Sequence, residues 1–239
     1  MCGRKYAAEE LNWAEYRAIL DIVGPDDRRA APDDNFPPNY NIAPTHQVPV
    51  VRAGGDGAGD RAATLTRLQW GLVPRWAKDA KIGYKMINAR AETLTEKPSF
   101  KNLVARHRCV IPVSGFYEWQ RGLGPKGKDK QAHKVARADG APLLLAGLWT
   151  RHAGLGLSSY TVITTAATPA FAPLHHRLPM MLERDQLGAW LTGDWDAARA
   201  LIQPYAGAIV ATPVSNDVGK VANNYPALLD PVAVQAGLI

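Results

Sequence analysis

A cysteine at position two is the first residue of this chain whose type and place could do chemistry. A small side chain there permits removal of an initiator methionine, after which Cys2 would carry a free α-amine and a thiol together. Such an amine has a pKa of about 7.7–8.0, well below the ~10.4 of a lysine, so a useful fraction is neutral and nucleophilic at physiological pH. Attack on an aldehyde gives an imine. The thiol, two carbons away and already tethered, then closes a five-membered thiazolidine far more durable than the imine. An internal cysteine cannot make that ring, and Cys109, inside an apolar run, reads as core. Position two alone also describes an incidental cysteine, so other segments must decide.

Glu118 lies in Gly115-Phe-Tyr-Glu-Trp119, an otherwise apolar, aromatic segment, where desolvation would raise its pKa and suit it to proton transfer near neutrality. An outward-facing strand residue would read the same way. In Ile87-Asn-Ala-Arg-Ala-Glu92, Asn88 offers a neutral donor and acceptor, and Arg90 shares its face if the segment is extended. His175 can exchange protons near neutral pH, and Arg177 beside it can bind phosphate, though either residue alone is more often structural. Between Gly71 and Ala91 stand Arg75, Lys78, Lys81, Lys85 and Arg90 against one acid, Asp79, with Trp70 and Trp76 nearby. Cations beside aromatic faces suit a single nucleic-acid strand. A solvated basic loop with its tryptophans in the core is the competing description.

Three apparent motifs fail. Gly122-Leu-Gly-Pro-Lys-Gly-Lys128 begins like a phosphate-binding loop, but Asp129 replaces the magnesium-holding hydroxyl and a strand, not a helix, follows. Adjacent His175 and His176 lack the HExxH or CxxC context of a metal site, and no GxSxG elbow occurs. No metal or organic cofactor is therefore expected.

The elements that must position these residues are mostly strands. Gln47 to Arg52 and Thr64 to Trp70 flank a Gly/Asp-rich turn as a hairpin. Further strands are predicted at Arg108 to Val113, Phe116 to Arg121, His133 to Ala138, Leu143 to Trp149, Tyr160 to Thr164 and Ala208 to Pro213. Leu11, Ala14, Ala18 and Ile22 recur at helical spacing between Ala7 and Ile22, before a Gly24-Pro25 stop. Helical patterns also occur at Ser99 to His107, Arg184 to Leu191 and Asp196 to Tyr205. Pro25 to Pro44 reads as irregular chain, and Gly122 to Lys130 as a long solvated hairpin loop. Strands and helices do not alternate, which predicts an α+β fold on antiparallel strands rather than a doubly wound sheet.

A chain of 239 residues, 46% hydrophobic, is expected to form one domain. No apolar run of about 18 residues and no signal-peptide pattern occurs, so a soluble, cytoplasmic protein is expected, without membrane contact. Two cysteines support neither a disulfide framework nor a four-thiolate zinc site. The net charge of +6 favours an anionic partner.

Taken in order, Met1-Cys-Gly-Arg4, Asn39-Tyr-Asn-Ile-Ala-Pro44, Trp70-Gly-Leu-Val-Pro-Arg-Trp76, Ile87 to Glu92, Arg108 to Trp119, Ala146-Gly-Leu-Trp149 and His175-His-Arg-Leu-Pro179 resemble the SRAP family, the SOS-response-associated peptidase domain. The resemblance spans nearly the whole chain, with the motif-bearing core at about 2–226. It implies one domain, 1–239, with a barrel-like core of mainly antiparallel sheets and flanking helices. It also implies a monomer that senses abasic sites in single-stranded DNA and joins them through a Cys2 thiazolidine during the DNA damage response, associating with the nucleoid when bound. By motif, Cys2 would be the crosslinking nucleophile, Asn88 would orient it, Glu118 would act as general acid and base, and His175 would assist sugar ring opening. Arg4, Arg90 and Arg177 would hold phosphates, and Arg75, Lys85, Trp70 and Trp76 would line the DNA groove. Slow reversal and lyase activity are implied as well. Leu178 stands where relatives commonly have Met, a volume-conserving change; His176 competes with His175 for the catalytic place. The rival readings are a thiol peptidase or autopeptidase using Cys2, and a non-covalent single-strand binder.

Overall fold

The computed structural model describes residues 2–23, 36–52, 63–123 and 129–233. The chain opens with β1 (Arg4–Ala7) and helix α1 (Trp13–Ile22), followed by β2 (Asn39–Ile42), β3 (Gln47–Arg52), β4 (Thr64–Trp70) and β5 (Asn88–Arg90). Four long strands succeed them: β6 (Arg108–Val113), β7 (Gly115–Leu123), β8 (Asp129–Arg137) and β9 (Leu143–His152). β10 (Leu157–Ala166), β11 (Arg177–Pro179), β12 (Met181–Leu182), α2 (Leu187–Leu191), α3 (Trp195–Ala200) and β13 (Ile209–Pro213) complete the order.

Pairing runs β10-β4-β3-β6-β9, and β9 returns to β10, so these strands close into a five-stranded barrel. Only the β4–β10 contact in that ring is parallel. β5 and β11 extend it from β10, and β12 from β9. A second sheet runs β13-β8-β7-β1-β2. The expected α+β fold with a barrel-like, mainly antiparallel core is what forms.

Alternation along the barrel strands explains their near-continuous apolar runs. Val51, Val110, Leu144, Ala146, Leu148 and Ile163 face Ile19 and Leu20 of α1, Trp190 and Leu191 of α2 and Ala198 of α3. Their neighbours Val50, Cys109, Ile111, Leu145 and Val162 join Trp70, Tyr160 and Phe116 in a second core that reaches Cys2. A third cluster, Tyr6, Tyr40 and Tyr117 with Val214, Val218 and Leu228, covers the far face of the second sheet. Arg108 staples α2 onto the barrel: its buried guanidinium donates to the main-chain oxygens of Val104 and Ala105 at 2.6 and 2.7 Å, and to those of Trp190 and Gly193.

Several expected elements differ. The first helix starts at Trp13, not Ala7, because Asn12 caps it, its Oδ1 accepting from the amides of Ala14 and Glu15, while Arg4–Ala7 is claimed by sheet pairing. Its buried stripe is Tyr16, Ile19 and Leu20, with Ala14, Ala18 and Ile22 exposed; the larger side chains win the 3.6-residue register. Ser99 to His107 forms consecutive turns instead of a helix. The pattern at Arg184 to Leu191 splits into a 3₁₀ turn (Arg184–Gln186) and α2, and the last helix ends at Ala200. Asn39–Ile42 is a strand inside the stretch read as irregular. The hairpin turn at 53–62, residues 24–35 and the loop at 124–128 lie outside the described residues.

Candidate functional site

The second sheet delivers Cys2. β1 pairs antiparallel with β7 through Arg4↔Tyr117, Lys5↔Phe116 and Tyr6↔Gly115, so the residues just before Arg4 run alongside Glu118. Gly115 permits this approach: a Cβ there would meet the Tyr6 hydroxyl and the Val135 carbonyl at 2.4 Å each. Cys2 is 1% exposed and Glu118 5%. Burial pushes the Cys2 thiol up to about 12, opposed by the nearby Lys5 cation and reinforced by the Glu118 carboxylate. At neutrality the sulfur therefore holds its proton.

The barrel delivers Asn88. As the first residue of β5 it sits parallel to Val162 of β10, and its Nδ2 donates to the Cys2 carbonyl at 2.9 Å. Its Oδ1 is enclosed and makes no hydrogen bond among the described residues. A free acceptor thus lies on the side chain that already grips the Cys2 main chain.

His175 lies in the turn between β10 and β11. The Arg177 amide donates to its Nδ1 at 2.9 Å, and the Arg177 carbonyl oxygen lies 3.2 Å from the same nitrogen. Desolvation lowers its pKa, while the Glu118 carboxylate pulls the other way, so these two groups share a field with Cys2. His176 stacks on it at 4.4 Å between centroids but is itself exposed. Cys2, Asn88, Glu118 and His175, remote in sequence, are therefore gathered by two sheets.

The groove residues divide. Trp70 is fully buried, its Nε1 donating to the Ile87 carbonyl at 3.0 Å and its ring covered by Lys5, so it is a core residue and offers no stacking face to a base. Arg177 is also not a free phosphate clamp: a two-pronged ion pair with Glu92 at 2.6 and 2.9 Å, together with the Thr164 carbonyl, occupies its guanidinium. Arg4 is half-buried, with Nη2 donating to the Gly219 carbonyl at 3.0 Å and an enclosed Nε that has no hydrogen bond among the described residues. Arg75, Trp76, Lys85 and Arg90 are exposed, Trp76 by 60%.

These exposed groups ride on an excursion between Trp70 and Asn88. The Leu72 amide bonds the Met86 carbonyl at 3.1 Å, and Gly71, at φ +114°, approaches Gly83 so closely that a Cβ would meet its oxygen at 2.6 Å. The excursion is thereby closed at its base, with Met86 two residues before Asn88. Tyr84, 60% exposed, accompanies Trp76 on it and was not singled out from sequence; the Trp/Lys/Arg composition of that segment could have included it. Lys5 was missed as well. It is wholly buried beside Cys2, although Arg-Lys-Tyr reads as ordinary surface strand. Among the described residues no cluster of His, Cys, Asp and Glu could hold a metal ion.

Fold and site together define a class: a strand-closed α+β barrel joined to a second sheet that brings a buried cysteine beside Asn88 of the barrel. Residues 1–221 match the family model described as SOS response associated peptidase (SRAP), and the chain belongs to that family. It is 38% identical over 238 residues to "Abasic site processing protein YoaM" of Bacillus subtilis, covering 96% of this chain and 98% of that protein. It is 32% identical to "Abasic site processing protein HMCES" of Gallus gallus, covering 97% and 78%. A crystal structure of a protein from Bacteroides thetaiotaomicron shares the fold at a TM-score of 0.69 and 24% identity, covering 81% of this chain and 85% of that one. Another from Bordetella bronchiseptica matches at 0.66 and 26%, covering 90% and 100%.

Proposed function

We propose that this protein processes abasic sites in single-stranded DNA by capturing their aldehyde on Cys2 as a thiazolidine once Met1 is removed. The observation that carries the reading is the Asn88 side chain, which holds the Cys2 carbonyl at 2.9 Å and keeps a second, unpaired polar atom beside it. In the processed chain that Oδ1 accepts from the Cys2 amine and directs its lone pair at the sugar. The naming of relatives as abasic site processing proteins supports the same substrate.

The order of steps follows from protonation. The abasic sugar opens to its aldehyde as the C1′ hydroxyl gives up its proton, the bond from C1′ to the ring oxygen breaks and the ring oxygen gains a proton, with the His175 imidazole carrying it between them. The Cys2 amine, ordinarily near pKa 7.7–8.0, is the more available nucleophile, because the thiol is held protonated by burial. It attacks C1′, Glu118 passes a proton to the departing water, and the resulting iminium takes the thiol. Arg90, Arg75 and Lys85 neutralise phosphates and Trp76 stacks on a base, an arrangement suited to an unpaired strand. One product forms per protein molecule until the adduct reverses.

The test is a single-stranded oligonucleotide with one abasic site, incubated and then denatured. The processed wild type should give a denaturant-resistant adduct that Cys2→Ala loses while retaining reversible binding. No adduct from the wild type would remove the proposal.

The family's description as a peptidase favours a second use of the same groups, release of Met1 by the chain itself. Protein carrying Glu118→Ala should then retain Met1 by intact mass; full removal in that variant would exclude the self-cleaving step.

A further inference from the structure

The excursion that carries Trp76 shelters a cavity that the capture chemistry does not use. It measures about 160 Å³; Pro74, Arg75 and Trp76 line it from the excursion, Ser99, Asn102 and His107 from the turns before β6, and Thr150 from β9. That volume is well below the roughly 300 Å³ at which drug-sized sites begin, so it suits one small ring system. Its frame is fixed. The Val73 amide donates to Ser159 Oγ at 2.8 Å, the Ala77 amide closes a turn on the Pro74 carbonyl at 2.9 Å, and His152 Nε2 lies 2.9 Å from the Ala77 carbonyl. Both ends of Pro74–Trp76 are thus tied to the β9–β10 pair that also carries Thr150. The His107 ring rests on Trp149 at 5.0 Å between centroids, and its carbonyl accepts from the Trp149 amide at 2.8 Å.

Thr150 is the informative residue. It is 1% exposed, pairs with Ser159 of β10, and its Oγ1 makes no hydrogen bond among the described residues. Folded proteins keep few enclosed hydroxyls unpartnered, because the bond to water given up on burial is not replaced. Valine has the same shape without that cost, so a threonine lining this cavity points to a partner from outside, toward which it can both donate and accept. At the mouth, Trp76 offers an exposed ring face and Arg75 an exposed cation. One ligand meets all three: a planar aromatic ring with donors and acceptors on its edge, joined to a phosphate.

Resting on the reading of this protein as a single-strand binder, we infer that the cavity is a nucleobase site. One base of the bound strand turns out of the stack, lies against Trp76 and hydrogen-bonds along its edge to Thr150 Oγ1, while Arg75 holds the adjoining phosphate. An unpaired strand yields a base to such a site at less cost than a duplex, where pairing must also be broken. The strand is then held by a base as well as by its backbone, which fixes its register along the excursion.

The experiment uses the full chain and two fluorescent probes of equal length: a mixed-sequence single strand, and a base-free strand built of tetrahydrofuran spacers. By anisotropy, Thr150→Val should weaken binding of the first about 3- to 10-fold and leave both the second and the salt slope unchanged, since no phosphate contact is lost. Its stability in urea should stay level or rise, because an unpartnered oxygen is removed, whereas a purely structural hydroxyl would lower it when lost. Ser99→Trp, which fills the cavity from its half-buried rim, should give the same selective loss. Wild-type affinity for the mixed strand in both folded variants overturns the inference, and so does an equal loss on the base-free strand. If Thr150→Val does not fold, Ser99→Trp decides by the same comparison. Failure of the wild type to bind either strand would refute single-strand recognition and the base site with it. Binding with base selectivity but no denaturant-resistant adduct would refute covalent capture alone.

Discussion

The hydrogen bond from Asn88 Nδ2 to the Cys2 carbonyl links the two sheets at the proposed nucleophile. Asn88→Ala should fold but slow adduct formation by about 10- to 100-fold, the equivalent of ~1.4–2.7 kcal/mol, and adduct yield with time checks it. Lys5 gives a pH signature of its own. Its pKa of about 7 in the fold lies below its ordinary 10.5, so between those values the unfolded chain binds more protons and stability from this group rises with pH. Cys2 runs the other way: raised from 9.0 to about 12, it makes the folded chain bind more protons and lowers stability above about pH 9. Urea unfolding from about pH 6.5 to 8.5 should therefore show a rise for the wild type that Lys5→Met flattens. Equal slopes in the two proteins would contradict the burial argument. At this scale Cys2, Asn88, Glu118 and His175 stood out as candidates because each sits in a compact motif with unusual chemistry for its surroundings. Trp70 and Trp76 were not separable by residue type: Trp70 ends β4 inside the core, and Trp76 lies in a turn exposed to solvent.

Elements carry these residues to one place by close backbone contact. Gly71 is required twice, for its φ of +114° and for the approach to Gly83, so Gly71→Ala strains the base of the excursion beside Asn88. We expect a loss of about 1–3 kcal/mol in unfolding free energy and a weaker adduct yield than stability alone explains. Wild-type yield at full folding would show that the Gly71–Gly83 contact does not position Asn88. The five barrel strands were readable from their sequences, β3, β4 and β6 within the expected bounds and β9 and β10 running longer. β1, β2, β5, β11 and β12 were not, because each is only two to four residues long and is held by partners distant in sequence. Those short strands are the ones that carry or flank Cys2, Asn88 and Arg177, so the site's assembly was less legible than its membership.

At the scale of the whole molecule, the excursion between Trp70 and Asn88 projects Arg75, Trp76, Tyr84 and Lys85 together into solvent. Reversible binding of undamaged single-stranded DNA should weaken with salt, and the combined Arg75→Ala, Lys85→Ala change should reduce that salt slope by about one to two. Trp76→Ala should cost roughly 1–3 kcal/mol of the same affinity, and Trp70→Phe, a core change, should leave affinity untouched in protein that folds. Fluorescence anisotropy titrations at several salt concentrations measure all three. The most direct test of the central claim is the intact mass of the chain with and without Met1 after incubation with an abasic single strand, read under denaturing conditions. The processed chain should gain the mass of the oligonucleotide less one water and resist borohydride, while the chain retaining Met1 stays unmodified. Equal adduct from both chains would show that the Cys2 amine is not the group that captures the lesion.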